Sequence, residues 1–146
     1  MRQNTLLTEF DPKRGISVTT LAYEYPSRFE VLDHAHGSDQ LIYATSGLME
    51  VSSEQSVWLI PPHFALWIPA RTHHRIHMRG PVSMRTLYLR TGLKARLDPR
   101  CAVLHVTPPL RELIVETVRV RQLRMRNRYE PIQLPVCCIG DGAKPC

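Results

Sequence analysis

The chain has 146 residues, 43% of them apolar, and a formal net charge of +6 at pH 7. This length suits one domain with a buried core and excludes two domains of ordinary size, while the apolar content excludes a disordered chain. No run of about eighteen apolar residues is present, so no membrane span is expected. Residues 1–11 carry acids where a secretion signal would be apolar, which indicates a cytoplasmic protein.

Residues 16–106 are predicted to form a succession of short strands. Their apolar and β-branched runs are interrupted at regular intervals by glycine, proline and polar residues. Such residues cluster at 45–47 and 79–81, where turns are predicted. Short strands at this spacing are typical of an all-β sandwich or barrel. The predicted strands are 16–25, 29–36, 40–44, 48–51, 57–60, 65–68, 75–78 and 84–90.

The pattern changes at Thr107, which is followed by two prolines. Threonine can cap a helix and proline suits its first position, so a helix is predicted from Pro108 to about residue 125. Glu112 is expected to complement the helix dipole in the opening turn. Apolar residues recur at three- and four-residue spacing, which predicts one buried stripe. The stripe is Leu110, Leu113, Ile114 and Thr117.

These patterns divide the chain into three parts. A barrel is predicted over residues 1–106 and a linker or dimerisation helix over 107–126. Residues 127–146 show neither strand nor helix periodicity, and an irregular tail is predicted there.

The histidines are placed where they can share one site. His34 and His36 are two residues apart on a predicted strand, so their side chains project from the same face. Neutral imidazole is the commonest side-chain ligand of transition metals, and His74 from a distant strand would complete the set. The alternative is a polar pocket without metal, in which the same imidazoles are only hydrogen bonded.

Residues 34–47 and 69–74 resemble, in order and spacing, the two sequence motifs of the cupin superfamily. The first motif of that family holds two histidines and an acid, and the second holds another histidine after a Pro-x-Gly turn. Gln40 replaces the acid in this chain, and Arg71 replaces the turn glycine. The resemblance implies an all-β cupin fold, a double-stranded β-helix or jelly-roll barrel, with a C-terminal α-helix. The metal ligands that it implies are His34, His36, Gln40 and His74.

Four segments, in the right order, resemble the sensory domain of AraC-type transcriptional regulators. The resemblance implies a domain that binds a small-molecule effector and forms a homodimer. In that family two helix-turn-helix subdomains follow and grip the DNA. Residues 127–146 hold no recognition helix, so no direct sequence-specific DNA binding is expected, as in a truncated or frame-shifted regulator. The segments are 34–47, 58–70, 84–89 and 107–114.

Three neutral imidazoles and one carboxamide would leave a divalent metal with its full charge. Nitrogen ligands favour zinc, with nickel, copper or ferrous iron as alternatives. An uncompensated +2 charge in a dry barrel attracts an anion, so an anionic effector is expected. Met78 and Tyr88 are predicted to line the effector pocket, because they occupy inward positions of adjoining strands.

The resemblance therefore implies an effector-sensing, metal-binding domain of a regulator rather than an enzyme. The main alternative is a small metal-dependent cupin enzyme, a dioxygenase or an isomerase. Gln40 in place of the acid, and the lack of a recognisable general base, argue against that alternative. A protein interaction domain with a vestigial pocket is a third option.

Overall fold

The computed structural model describes residues 6–93 and 98–124, so the predicted tail over 127–146 lies outside the described residues. The described part contains nine strands and one helix, which confirms the all-β prediction. The elements are β1 (Leu6–Leu7), β2 (Val18–Tyr25), β3 (Glu30–His36), β4 (Asp39–Ser53), β5 (Val57–Ile60), β6 (Phe64–Ile68), β7 (His74–Leu89), β8 (Ala102–His105), α1 (Pro108–Val120) and β9 (Gln122–Leu123).

Strand β7 organises the fold, because β2, β3 and β4 all pair with it in antiparallel register. Its first half pairs with β3 and with the second half of β4, and its second half pairs with β2 and with the first half of β4. Strand β4 also pairs with β5 and β6, and β8 adds to β6. Two long strands that change partners along their length give a jelly-roll arrangement.

The turns predicted at residues 45–47 and 79–81 do not end the strands. Both segments are bends inside the continuous strands β4 and β7, with register shifts on either side of Ser46. Gly47 and Gly80 have positive φ angles of 91° and 95°. A side chain at Gly47 would collide with the carbonyl oxygen of Pro81, so the two bends pack directly on each other. Each glycine therefore lies in an irregularity within a strand and not in a hairpin turn, because β4 and β7 stay paired with each other on both sides of it.

Two apolar clusters fill the molecule. The first is built from apolar residues of β4, β5, β6 and β7. The second lies under α1, where Tyr43, Trp67 and Ile114 are buried together. Alternation along β4 assigns neighbouring residues to opposite clusters, as expected for a strand covered on both faces. Members of the first cluster include Ile42, Met49, Val51, Ile60, Leu66, Ile76, Met78 and Met84.

The helix begins at Pro108 as predicted, with Thr107 at its N-cap in extended conformation but without a side-chain capping bond. It ends at Val120 and not near residue 125, because Arg121 adopts a φ of 71° and β9 then pairs with β2. No acid lies in its first turn, so the role predicted for Glu112 was wrong.

The buried stripe of α1 is also rotated relative to the prediction. Ile114, Thr117 and Val118 are buried, whereas Leu113 remains 42% exposed. The stripe follows the side of the helix that packs on β2 and β7. No helix within the described ranges is long and apolar enough to cross a membrane.

Candidate metal centre

Strands β3 and β7 bring three histidines together. His34 and His36 project from the same face of β3, and His74 opens β7 directly opposite His34 in the antiparallel pairing. The ligand-capable nitrogen atoms of the three rings lie within 4.8 Å of one another. All three residues are at most 5% exposed. The prediction from residue spacing thus matches the observed placement of these side chains.

Each of the three rings is oriented through its Nδ1 atom. The Nδ1 atom of His34 lies 2.7 Å from the carbonyl oxygen of Leu32, and that of His74 lies 2.9 Å from the carbonyl oxygen of Thr72. The Nδ1 atom of His36 lies 3.3 Å from the carbonyl oxygen of Leu7. A carbonyl can only accept a hydrogen bond, so each Nδ1 carries the proton and each Nε2 presents a lone pair.

The Nε2 atoms therefore face one another without a proton to share. Those of His34 and His36 are 3.1 Å apart, and the Nε2 atom of His74 has no hydrogen-bond partner in the described part of the chain. Two lone pairs at this distance repel each other unless a cation lies between them. Two nitrogen ligands of one metal ion, each about 2.0–2.1 Å from it, are separated by about 2.9–3.4 Å. The pair of rings is already at that spacing.

Burial lowers the pKa of all three imidazoles. The pKa of His36 falls to about 4 and that of His74 to about 3, mainly by desolvation and further through the proximity of His34. Burial also lowers the pKa of His34, although its bond to the Leu32 carbonyl opposes the shift. All three rings are thus neutral at pH 7, which is the form that binds a metal.

Gln40 lies at the start of β4 and is 3% exposed. Its Oε1 atom has no hydrogen-bond partner among the described residues, which is costly for a buried amide. Its neighbour across the β4–β7 pair is Tyr88, whose ring packs edge-on against His36 at 4.9 Å between centroids. Met78 is completely buried in the first apolar cluster. Metal binding by Gln40, and an effector pocket lined by Met78 and Tyr88, stay predictions.

A segment that the sequence did not indicate covers this site, and we call residues 6–11 the N-terminal strap. Strand β1 pairs in parallel with the end of β3, which places the Leu7 carbonyl at His36. Phe10 stacks on Tyr88 with 5.5 Å between ring centroids. The Asp11 carboxylate accepts bonds from the Gly37 N–H at 3.1 Å and the Ser38 hydroxyl at 2.5 Å.

The remaining histidines near the site have other partners. The Nδ1 atom of His73 lies 3.1 Å from the Asp33 carboxylate, and that of His77 lies 3.3 Å from the Glu30 carboxylate. Both rings are partly exposed; His73 immediately precedes β7, and His77 lies on the face of β7 opposite His74. The turn before β7 is joined to β3 by the backbone, because the N–H of Arg71 donates to the carbonyl of His36 at 2.7 Å.

No protein-family model matches the chain. A curated relative is the HTH-type transcriptional regulator NimR of Escherichia coli strain K12, which is 29% identical over 82 residues. The match covers 56% of this chain and 30% of NimR, so the chain spans less than a third of that protein's length.

Solved structures of ToxT from Vibrio cholerae share the fold. One, bound to (E)-4-(8-methylnaphthalen-1-yl)but-3-enoic acid, aligns with a TM-score of 0.60 and 8% identity over 71% of this chain and 48% of its own. Another, bound to an unsaturated fatty acid, aligns with a TM-score of 0.58 and 9% identity. The alignment covers 83% of this chain and 49% of that ToxT chain. The chain therefore shares its fold with these structures and part of its sequence with a transcriptional regulator.

Proposed function

We propose that this domain is the metal-binding, effector-sensing part of a transcriptional regulator. The observation that carries the proposal is the set of three buried Nε2 lone pairs that converge while every Nδ1 proton is held by a backbone carbonyl. A polar pocket without metal would be expected to satisfy such atoms with donors. The orphaned Nε2 of His74 and Oε1 of Gln40 instead fit a cation.

The donor set favours a borderline transition metal. His34, His36 and His74 would supply neutral nitrogen atoms, and Gln40 would supply a carboxamide oxygen. Without a carboxylate in the set, zinc is favoured, with nickel or iron as alternatives. A bound divalent ion would supply positive charge inside a dry barrel and so attract an anionic effector.

The chain's own residues hold this site in place. The Leu32, Leu7 and Thr72 carbonyls fix the tautomer and the orientation of the three rings. Tyr88 packs against His36 and Phe10 stacks on Tyr88, so aromatic rings flank this side of His36. These contacts keep the ligands in their binding form before any ion arrives, which reduces the free energy needed to order the site.

The effector is proposed to be a small anionic molecule. Two of the ToxT structures that share this fold contain carboxylic acids, an arylbutenoic acid and an unsaturated fatty acid. In this chain Tyr88 adjoins the histidines, and Met78 remains a candidate for the deeper wall. We further propose a homodimer in which residues 107–126 take part, because Leu113 leaves an apolar side chain exposed on α1.

A metal-dependent cupin enzyme is the rival function, since three imidazoles can also hold a catalytic ion. The discriminating observation is oxygen uptake by the iron-loaded protein with small acids and diketones. Uptake that depends on His74 would favour the oxygenase, and its absence with tight effector binding would favour the sensor.

Metal analysis of protein purified without a histidine tag tests the proposal. We expect about one equivalent of zinc per chain after loading and removal of free metal. His74→Ala should bind less than about a tenth of an equivalent, because the proposed set then loses one of its three nitrogen ligands. His73→Ala is the matched control, since its ring pairs with Asp33 outside the cluster. Less than a tenth of an equivalent in the wild type would refute the metal site.

A further inference from the structure

A second concave site lies beside the metal centre. It is a cleft of about 540 Å³ between the β4–β5 hairpin, the turn before β7 and the segment before β8. We call it the rim cleft and define it by Trp58, Arg71, Thr72, His73, Arg100 and Cys101. None of the three clustered histidines lines it. Its volume is in the range that small-molecule sites occupy.

The charges of the rim cleft leave one cation without a partner. Arg100 bonds to Asp98, and His73 pairs with Asp33. Glu54, the other acid that lines the cleft, is also engaged. The guanidinium of Arg71 makes no ion pair or side-chain hydrogen bond within residues 6–93 and 98–124. A planar guanidinium at a concave surface binds carboxylates through two parallel bonds.

The backbone at Arg71 is unusual for an arginine. Its φ is 65°, a left-handed conformation that glycine adopts more readily. Arg28 and Arg121 share this conformation, but neither lines the cleft. The cupin motif has glycine where this chain has Arg71. An arginine therefore occupies a left-handed turn position that glycine would adopt at lower energy, and this turn faces the cleft. Strained residues of this kind are concentrated at ligand sites.

The lining of the rim cleft also has an apolar part, formed by Trp58 and Cys101. Trp58 is partly buried and packs, together with Cys101, against the first apolar cluster of the barrel. An indole held in this way offers a flat surface for an aromatic or unsaturated group. Such a surface and a free guanidinium on the same cleft select a ligand with a flat apolar body and one negative group.

We propose that the rim cleft binds a small aryl monocarboxylate, with the carboxylate on Arg71 and the ring against Trp58. The site is separate from the three-histidine cluster and does not need a metal. If the metal centre fails its own test, binding at the rim cleft is still expected. The two proposals can therefore fail independently.

The experiment uses benzoate as the probe, the full chain and a buffer with EDTA. Tryptophan emission excited at 295 nm and calorimetry should both show saturable binding with one site per chain. Trp58→Phe should remove most of the emission change, because Trp67 is buried and donates its indole N–H to the carbonyl of Asp98. Benzamide, which has the same shape without the charge, should bind at least about tenfold more weakly.

Two variants separate the side chain of Arg71 from its backbone. Arg71→Gln should weaken benzoate binding by at least about tenfold. Arg71→Gly should abolish binding and yet raise Tm, because glycine accepts the left-handed turn. Arg75→Gln is the control, since Arg75 is exposed on β7 and bonds to Ser52. Equal binding by Arg71→Gln and wild type, equal affinity for benzamide and benzoate, or no saturable binding would each overturn the proposal.

Discussion

The barrel interior has a polar end, at the three clustered histidines, and an apolar end, at the first apolar cluster. Strand β7 contributes to both ends. On β7, His74 is buried with an unpartnered Nε2, and four residues later Met78 is buried among apolar side chains. Apolar burial stabilises a fold by about 25 cal/mol per Å². An unsatisfied buried polar atom instead costs about 1–3 kcal/mol. One end therefore stabilises the barrel, whereas the other holds unpartnered polar atoms at a cost in stability.

The largest effect is expected at the apolar end. Met78→Ala removes a side chain with no exposed surface and should lower the free energy of unfolding by about 2–5 kcal/mol. Urea denaturation of the metal-free protein measures this loss. Zinc stoichiometry should stay that of the wild type, as the comparison requires. A loss below about 1 kcal/mol would indicate that Met78 faces a cavity, as the sequence-based prediction of an effector pocket has it.

The histidine end should make the metal-free protein sensitive to acid. Unfolded imidazoles take up protons near pH 6.5, whereas native His36 does so only at about pH 4 and native His74 at about pH 3. The unfolded state thus binds more protons below pH 6.5, so the free energy of unfolding falls as the pH falls.

This loss should reach up to about 1.4 kcal/mol per pH unit for each imidazole between pH 6 and 4. Urea denaturation in EDTA at pH 7, 6, 5 and 4 measures the slope, and His74→Leu should make it shallower. A slope that His74→Leu leaves unchanged would show that other groups dominate acid unfolding. Met78→Ala, at the apolar end, should shift the whole curve without changing its slope.

The smallest effect on binding or stability is expected from changes in the N-terminal strap, which lies over the three histidines. Asp11→Asn weakens the bonds that hold the N-terminal strap at Gly37 and Ser38, so the Leu7 carbonyl should hold His36 less firmly. We expect zinc affinity to fall by about tenfold, as is usual when an outer partner of a ligand is disturbed. Competition with a chromophoric chelator measures the affinity.

Gly37→Ala should act in the same way, because its Cβ would lie 2.6 Å from the Asp11 carboxylate and displace that flexible side chain. Glu30→Gln is the control, since Glu30 pairs with the partly exposed His77. Hydrogen exchange over residues 6–11 should quicken in both strap variants and not in the control. Unchanged zinc affinity together with faster exchange would show that the strap covers the site without supporting it.

Sequence reasoning succeeded where local periodicity decides the structure. His34 and His36 share a face because strand residues alternate, and the helix start follows from Thr107 and Pro108. Sequence reasoning failed where pairing between distant strands decides the structure. Glycine and proline at residues 79–81 give the same local signal in a turn and in a bend, and only the partners of β7 separate the two.

The N-terminal strap shows the same limit more strongly. Phe10 and Asp11 carry no local mark of a role at the site, because their contacts are to Tyr88, Gly37 and Ser38. The early end of α1 depends on β9 pairing with β2, which no helical pattern could reveal. The sequence was therefore sufficient to predict that three histidines converge. It was insufficient to predict the strap and the strand pairings around them.

The backbone bond from the Arg71 N–H to the His36 carbonyl has a thermodynamic consequence. It fastens the turn that leads into His74 to the strand that ends in His36, so a shift of that turn would change the spacing of the proposed metal ligands. If the proposed metal site is real, a molecule whose binding shifts this turn would change the affinity for the metal. Reciprocity then requires the ion to change the affinity of that molecule by the same factor, which makes each a reporter of the other.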